Sequence, residues 1–330
     1  MVFRLSLSLF SQAQADGAGK WLAEGRRVKQ LIVNADDLGY TSGVNRAIFH
    51  AYQSGIVSSA SLLANGPAFA DAVEVVRLAP GLDVGCHLNL VEGAPISPFE
   101  QIPHLVGPGG RFLGASSLAL RLIRGAVPAA ELERECTAQL EKLFEAGIQP
   151  SHIDSHKHAH LHPRVATSVA NVARHFGIGW IRRPFENYRC AHVKGATPMR
   201  FAAWVLNCLA PRFERRMTAQ GLRMPDFFTG FELTGSWSKP ALEETLAGLP
   251  TGITELMCHP GYYDEELEAS RTRLKRERQA ELELVADGAW RARLEALGIS
   301  LTGFSGITTA EPARASESPA MAAGAFLSRE

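Results

Sequence analysis

Short apolar runs alternate with amphipathic segments along most of the chain. The first run, 31–33, is compact and β-branched, and apolar residues then recur at helical spacing from Val44 to Tyr52. The same alternation predicts further strands at 56–63, 82–90, 150–155, 178–182, 227–231, 253–258 and 300–304. Strict alternation of strand and helix is typical of an α/β protein. It predicts a (β/α) barrel, a distorted TIM-type barrel of seven or eight parallel strands, with an open doubly wound sheet as the alternative.

Two long insertions interrupt this alternation. Residues 91–128 are rich in proline and glycine, and residues 184–220 include a helical run at 201–209 and a basic stretch at 212–216. Insertions of this length inside a compact domain are usually functional or mobile. Near the end, a highly charged helix is predicted over 265–286.

No change of composition marks a second domain. We therefore predict one catalytic domain at 29–308, between a flexible N-terminal extension at 1–28 and a disordered Ala/Ser/Pro-rich tail at 309–330. The short apolar patch near the start is broken by serines, so an extension or an overextended start is favoured over a signal peptide.

Charge and cysteine content narrow the class of protein. Thirty-four basic residues balance thirty-four acidic ones, whereas a nucleic-acid binder usually has a basic excess. The five cysteines are scattered and form no C-x-x-C pair, which argues against a disulfide framework and for a reducing compartment. No apolar run reaches the length of roughly eighteen residues that a membrane span needs. We expect a cytoplasmic protein without a nucleic-acid partner.

Residues 152–162 hold five of the eleven histidines, together with Asp154. All six of these side chains are at even positions, so they would face the same way in an extended chain. Imidazole and carboxylate are the usual ligands of a catalytic divalent metal. The alternative is a solvated histidine-rich loop or an adventitious metal-binding tract.

The predicted strands place other polar residues at the same edge. In parallel α/β barrels the active site lies at the carboxyl ends of the strands. The residues at those ends are Asp36, Asp37, His87, Asp154, His156, Arg182, Arg183 and His259. Structural histidines scattered along a chain would not be expected to gather in this way, so the pattern favours catalysis.

Each candidate also has a structural interpretation. Asp36 and Asp37 are in a position where an Asx turn or a helix N-cap is common, His87 could be a core histidine, and Arg182-Arg183 could be a solvated pair. Two adjacent acids nevertheless allow one to bind a metal while the other acts as a base.

An Asp/His/His site leaves coordination positions open. Its metal acidifies bound water and polarises a carbonyl, while a free carboxylate and an imidazole move protons. These groups suit hydrolysis of an amide or ester. No G-x-S-x-G, P-loop or G-x-G-x-x-G motif follows a predicted strand.

Four segments in this order resemble the YdjC-like carbohydrate deacetylase family: 31–39, 85–88, 152–158 and 255–261. The resemblance covers 29–308. It implies a barrel-like fold and metal-dependent removal of the acetyl group from N-acetylated sugars.

The resemblance also implies roles for individual residues. Asp37, His87 and His156 look like the metal ligands, and Asp36 looks like the base that activates water. His259 is similar in position to an imidazole that assists the leaving group. Zinc suits this set best, and magnesium or another divalent ion is the alternative.

Further roles are expected for the neighbouring residues. Arg182-Arg183 resembles an arginine element of related polysaccharide deacetylases and is expected to bind substrate. His158 and His160 are expected to face the substrate or to support the ligands. Asp154 is expected to support the site and not to bind the ion, while His152 and His162 are expected to be structural.

Two segments, 107–113 and 180–185, look most like the hopanoid-biosynthesis-associated branch of the family. This implies an N-acetylglucosaminyl hopanoid lipid as substrate. The run at 201–209 is too short to span a bilayer; it could line a site for an apolar aglycone, rest on a membrane surface, or simply pack as a helix. Peripheral membrane contact and a homodimer are both compatible with the sequence.

Three other functions stay open. A chitooligosaccharide deacetylase acting on diacetylchitobiose is the alternative enzyme. A non-catalytic sugar- or metal-binding protein is the second class, although binding a metal would need only one acid of the Asp36-Asp37 pair. A phosphoesterase is a weaker third option, because the sequence offers no evident second metal cluster.

Overall fold

A curved parallel sheet is the framework of the protein in the computed structural model, which describes residues 28–186 and 206–307. Its strands are β1 (Lys29–Leu38), β2 (Ser59–Leu62), β3 (Asp83–Leu88), β4 (His152–Ser155), β5 (Trp180–Ile181), β6 (Phe227–Thr229), β7 (Gly252–Cys258) and β8 (Ile299–Leu301). Each lies within two or three residues of a predicted strand, apart from the far end of β1.

The strand order is that of a barrel. Along the sheet it runs β5-β4-β3-β2-β1-β7-β6, and all pairs are parallel. If the two ends of this sheet are brought together, β1 to β7 follow one another around a barrel in sequence order, and the barrel is open between β5 and β6. A parallel bridge between Glu186 and Phe228 spans that opening, and β8 pairs with the first residues of β1. The predicted barrel is confirmed in a distorted, partly open form, and a doubly wound order with a reversal point is not formed.

The central strand, β1, is longer than its apolar run predicts. The strand continues beyond that run to Leu38 because β7 pairs with it as far as Ala35 and β2 as far as Leu38. Its register with β2 shifts between these two residues, and Asp37 has a φ of 70°. A bulge and a left-handed residue break the alternation of side chains. Asp36 and Asp37 can therefore both face groups at the carboxyl rim of the barrel.

Helices surround the sheet and connect its strands. They are α1 (Ser42–Ser54), α2 (Phe69–Leu78), α3 (Ala115–Ile123), α4 (Ala129–Glu145), α5 (Pro163–His175), α6 (Ala210–Ala219), α7 (Lys239–Ala247), α8 (Glu265–Ala269), α9 (Arg276–Val285) and α10 (Ala289–Ala296), with short 3-10 turns at Phe99–Gln101 and His156–Leu161. The apolar faces of α1, α4 and α5 pack into the main core, as their spacing predicts.

The charged helix predicted over 265–286 is two helices, α8 and α9. The Lys275 ammonium donates to the carbonyl oxygens of Leu267, Glu268 and Ser270 at 2.5, 2.8 and 2.9 Å. A cation at the carboxyl end of α8 satisfies carbonyls that a continuing helix would have used. The chain turns there before α9 begins, and the connecting segment lies beside the candidate site.

The first insertion is held to the barrel by buried acids of α4. Glu135 accepts hydrogen bonds from the backbone N–H groups of Ile96 and Ser97, both at 2.9 Å, and Glu131 accepts one from His104 at 2.9 Å. Carboxylates bonded to backbone donors fix a loop more firmly than neutral acceptors do. The beginning of the insertion therefore has a defined place beside the barrel rim.

The second insertion is described only at its two ends. The predicted basic stretch at 212–216 belongs to α6. The predicted helical run at 201–209 lies largely outside the described residues, as do almost all of the N-terminal extension and the whole C-terminal tail. None of the helices in the described ranges is long and apolar enough to cross a membrane.

Candidate active site

The carboxyl ends of β1, β3 and β4 bring Asp37, His87 and His156 together. Asp37 Oδ1 lies 2.9 Å from His156 Nδ1 and 3.4 Å from His87 Nε2. All three residues are buried, and one donor atom from each lies within 4.8 Å of the others. No described donor meets Asp37 Oδ1 in regular hydrogen-bond geometry. A buried carboxylate oxygen that faces two imidazole nitrogens in this way fits a divalent metal.

The other nitrogen of each imidazole faces a carboxylate. His87 Nδ1 lies 2.7 Å from Asp154 Oδ1, and His156 Nε2 lies 3.4 Å from Glu92 Oε2. A carboxylate only accepts, so these nitrogens keep their protons, and a metal would displace a proton only from the nitrogens that face Asp37. Carboxylate–histidine pairs of this kind orient the ligands of metal sites. Asp154 therefore lies where the sequence predicted a supporting residue.

Glu92, at the start of the first insertion, is itself held in place. It accepts hydrogen bonds from Tyr40 Oη and Lys157 Nζ, each at 2.9 Å. The hydrogen bond with His156 lowers the pKa of Glu92; partial burial opposes this, but Lys157 adds to the lowering, and the pKa falls to about 2. Glu92 is thus an ionised acceptor across the neutral range.

The electrostatics of the cluster favour a positive charge. Burial tends to raise the pKa of Asp37, but His156 and Arg278 outweigh it and hold that pKa well below its usual value. Burial tends to lower the pKa of His87, but the Asp154 carboxylate opposes it strongly, and the pKa rises to about 10. A site that keeps its carboxylates ionised and draws protons onto imidazole is also suited to bind a cation.

Asp36 is held by an arginine. Arg182 Nη1 and Nη2 donate to its two carboxylate oxygens at 2.7 and 2.6 Å, and the same guanidinium reaches Asp154 at 2.8 Å and Glu255 at 2.7 Å. Burial tends to raise the pKa of Asp36, but Arg182 outweighs it and the pKa is lowered. Arg182 is fully buried and its nitrogens are occupied. The predicted substrate contact by Arg182 is therefore wrong, and this residue positions Asp36.

A second set of donor atoms occurs next to the first. Asp36, His87 and Asp154 also present atoms close enough to hold a metal. Arg182 Nη2, however, already lies 2.6 Å from Asp36 and 2.8 Å from Asp154. Its positive charge occupies the place between these carboxylates, so we assign no metal to this set.

His259 lies on the other side of Asp36. Its Nε2 is 3.9 Å from Asp36 Oδ2, and its backbone N–H donates to Glu281 Oε2 at 2.6 Å. The same Glu281 oxygen is 3.9 Å from His259 Nδ1, and its partner oxygen accepts from the backbone of Gly235 at 3.0 Å. Burial lowers the pKa of His259 to about 4 and raises the pKa of Glu281 to about 7.

A cavity of about 380 Å³ opens beside these groups. Its lining includes Asp37, His156, His158, Phe231, His259 and Arg278, and also the connection between α8 and α9. This volume is at the lower end of the range for small-molecule sites. The ring of His158 lies 5.4 Å from the ring of Phe231, and both residues line the cavity. A contact between His158 and a bound substrate is compatible with this position and stays a prediction.

The histidine-rich segment is extended only as far as Ser155. Lys157 and His158 have φ values of 54° and 51°, so the predicted alternation of side chains over 152–162 is wrong beyond β4. His160 is fully buried, with its Nδ1 2.5 Å from Ser155 Oγ and its ring packed against Phe213. The predicted substrate contact by His160 is therefore wrong, because substrate cannot reach it.

His152 and His162 have structural positions, as expected. The ring of His152 stacks on Phe304 at 3.8 Å, and a Cβ on Gly85 would lie within 2.5 Å of that ring. Glycine at that position therefore gives the imidazole its space. His162 is the N-cap of α5 and accepts a hydrogen bond from the Arg164 N–H.

Arg183 faces away from Asp37. Its Nε donates to Glu214 at 2.6 Å, and the cavity that it lines also includes Asp226 and Ile253, at the amino ends of β6 and β7. The candidate site lies at the opposite ends of the strands. Its predicted role in binding substrate is not tested by these contacts and stays a prediction.

Sequence reasoning missed Glu92, Arg278 and Glu281. None of them ends a strand, since Glu92 is in an insertion and the other two are in α9. Arg278 and Glu281 are one helical turn apart and both are buried, in a helix whose composition resembles that of a surface helix. Their partners, Asp37 and the His259 backbone, are far away in sequence, so local pattern gave no signal for them.

Comparison with known proteins gives matches over most of the chain. The family model of YdjC-like proteins matches residues 30–296. A carbohydrate deacetylase of Geobacillus stearothermophilus is 34% identical over 277 residues, which are 84% of this chain and 97% of that protein. A human carbohydrate deacetylase is 34% identical over 248 residues, 71% of this chain and 75% of that one.

One solved structure also resembles the chain along most of its length. It is a protein of Enterococcus faecalis named as a candidate cellobiose-phosphate cleavage protein. Its TM-score is 0.67 at 27% identity, and the match covers 84% of this chain and 98% of that one. Together with the family match, this shows that the chain belongs to the YdjC-like protein family.

Proposed function

We propose that the protein is a metal-dependent hydrolase that removes the N-acetyl group from an N-acetylglucosaminyl substrate. The main observation is that Asp37 Oδ1 faces one nitrogen each of His87 and His156, at 3.4 and 2.9 Å, at the edge of a cavity. The names of the relatives, carbohydrate deacetylases, support the reaction class.

Asp37, His87 and His156 would hold the metal. A divalent ion bound there would acidify a water molecule and polarise the amide carbonyl. Two imidazoles and one carboxylate suit zinc best, with magnesium or another divalent ion as the alternative.

The neighbouring residues would move the proton. Asp36 would take one proton from the water, whose oxygen bonds to the amide carbon. The C–N bond then breaks to release an amine and acetic acid, which ionises to acetate. The amine nitrogen needs that proton. His259 Nε2 lies 3.9 Å from Asp36 Oδ2 and His259 lines the cavity, which supports a role for it in passing the proton on. Arg182 keeps its two hydrogen bonds to Asp36 during the proton transfer.

The finer proposal is that the sugar is linked to a hopanoid lipid. The likeness of segments 107–113 and 180–185 to the hopanoid-associated branch supports it. In the first insertion, Phe99, Leu120 and Ile123 are 50%, 46% and 75% exposed. Exposed apolar side chains on one insertion suit contact with a lipid or a membrane surface.

Acetate release tests both levels of this proposal. The purified protein is stripped with a chelator, reloaded with zinc, and incubated with N-acetylglucosaminyl hopanoid or with diacetylchitobiose. We expect acetate from the hopanoid only after zinc is restored. Turnover of diacetylchitobiose alone would reject the lipid substrate in favour of a chitooligosaccharide deacetylase. No acetate from either substrate with zinc-loaded protein would reject deacetylation and favour a non-catalytic binding protein.

A further inference from the structure

Arg278 reaches the candidate metal site from outside the barrel. It belongs to α9, yet it is only 1% exposed, and its Nη2 donates to Asp37 Oδ2. The chain after β7 is shaped to admit it. The Gly261 N–H donates to the Arg278 carbonyl at 3.0 Å, and a Cβ on Gly261 would lie 3.2 Å from both Cβ and Cδ of Arg278.

This arginine is bonded much less completely than the other buried arginine of the site. Arg182 binds three carboxylates, whereas Nε and Nη1 of Arg278 are buried without a hydrogen-bond partner among the described residues. The ring of Tyr40 lies 5.6 Å from the guanidinium carbon. Burying a cation with unpaired donors opposes folding. An arginine kept there against that cost points to a role in the site.

The contact with Asp37 divides the carboxylate into two unlike oxygens. Oδ2 is bonded by Arg278, while Oδ1 faces His87 Nε2 and His156 Nδ1. We propose that Arg278 is a positioning residue that holds Asp37 as a one-oxygen ligand and so sets the metal affinity of the Asp37–His87–His156 cluster. The proposal rests on the metal site proposed above, and not on the identity of the substrate.

Two physical effects of Arg278 oppose each other. Its charge repels a divalent cation, so removing it would strengthen metal binding if repulsion dominated. Its hydrogen bond fixes the Asp37 carboxylate, so removing it weakens binding if orientation dominates. Loss of an outer partner of a metal ligand typically weakens metal binding by about 10- to 100-fold. We expect orientation to dominate, because Arg278 holds Asp37 Oδ2, the oxygen that does not face the two histidines.

Zinc affinity tests this directly, without any substrate. The full-length protein and its variants are stripped, and the dissociation constant is measured by competition with a chromophoric chelator; bound metal is counted by mass spectrometry. Arg278→Met should weaken zinc binding by about 10- to 100-fold. Arg276→Met, an exposed arginine of the same helix, should leave it unchanged. Unchanged or tighter binding in folded Arg278→Met would overturn the proposal.

Arg278→Lys covers the case in which the methionine variant fails to fold. Lysine keeps the charge but lacks the planar fork, so it should bind zinc several-fold more weakly than the wild type. Affinity equal to the wild type would show that charge alone suffices, which contradicts positioning by the guanidinium.

A double-mutant cycle shows whether the effect passes through Asp37. In an Asp37→Ala background, replacing Arg278 as well should weaken zinc binding no further. A second full loss in that background would overturn the proposal. One outcome is that the wild type binds zinc and the Arg278 substitution has no further effect in the Asp37→Ala background, while no acetate is released. In that case the deacetylase proposal fails and the positioning role of Arg278 stands. If the wild type binds no divalent metal, both the metal site and the role of Arg278 are rejected.

Discussion

Asp36 and Asp37 are consecutive residues that two different regions of the molecule hold in place. Asp36 belongs to a network inside the barrel, where Arg182 joins it to Asp154 and Glu255. Asp37 faces the two histidines at the rim and is bonded from outside by α9. The left-handed backbone at Asp37 helps to separate the two side chains.

The two regions differ in how completely their buried arginines are bonded. Inside the barrel every Arg182 nitrogen donates to a carboxylate, so the guanidinium is fixed between Asp36 and Asp154, although Glu255 Oε2 has no hydrogen-bond partner among the described residues. At the rim, two Arg278 nitrogens have no hydrogen-bond partner among the described residues, and Asp37 Oδ1 faces two imidazole nitrogens. The contrast indicates that the interior stabilises the fold and the base, while the rim is where ligands bind.

Substituting each aspartate separately should have the largest effect. Asp36→Asn should lower turnover by about 100- to 10,000-fold, the usual contribution of a general base, and leave metal content nearly unchanged. Asp37→Asn should lose metal together with activity. Acetate release and metal content of both variants measure this, with circular dichroism as the control for folding. Loss of metal in Asp36→Asn would make Asp36 a ligand and remove the distinction between the two regions.

Breaking the interior network should be the next largest effect, and it concerns stability. Arg182→Met leaves three buried carboxylates uncompensated and should reduce the free energy of unfolding by about 3 to 5 kcal/mol. Arg77→Met is the control. Its pair with Glu74 is exposed, so we expect a loss of no more than about 1 kcal/mol. If denaturant titrations showed equal losses in the free energy of unfolding for the two variants, they would contradict a larger contribution of Arg182 to stability.

A smaller effect is expected at Glu281, the second buried acid of α9. Its carboxylate accepts from the backbone N–H groups of both His259 and Gly235. In Glu281→Gln the side-chain NH2 group would face one of these backbone N–H groups. Two donors cannot bond to each other, so His259 would be displaced. We expect kcat to fall by about 10- to 100-fold, as misplacement of a reacting group does, with zinc affinity unchanged.

Glu283→Gln, at an exposed position of the same helix, is the control and should keep full activity. A fall in zinc affinity in Glu281→Gln would show that α9 acts as one unit on the metal site. It would contradict separate roles for its two buried charges.

The sequence by itself determined the fold and the place of the site. The spacing of apolar residues reflects which side chains are buried, so it predicts the strands and helices. Parallel strands all end at the same rim of a barrel, so the strand ends alone predict that Asp37, His87 and His156 lie together. Asp36 and His259 follow from the same rule. The position of a strand end does not predict where the residues after it point, because their side-chain direction depends on the turn that follows.

Only the tertiary structure decided which of the candidates meet. The left-handed turn at Lys157 and His158 directs His160 into the core, and the position of Arg182 directly after β5 brings it to carboxylates from three other strands. Arg278 and Asp37 are 241 residues apart, and no local pattern links them. Charge pairing of this kind is a property of the assembled barrel, since neither partner's own sequence neighbourhood contains the other.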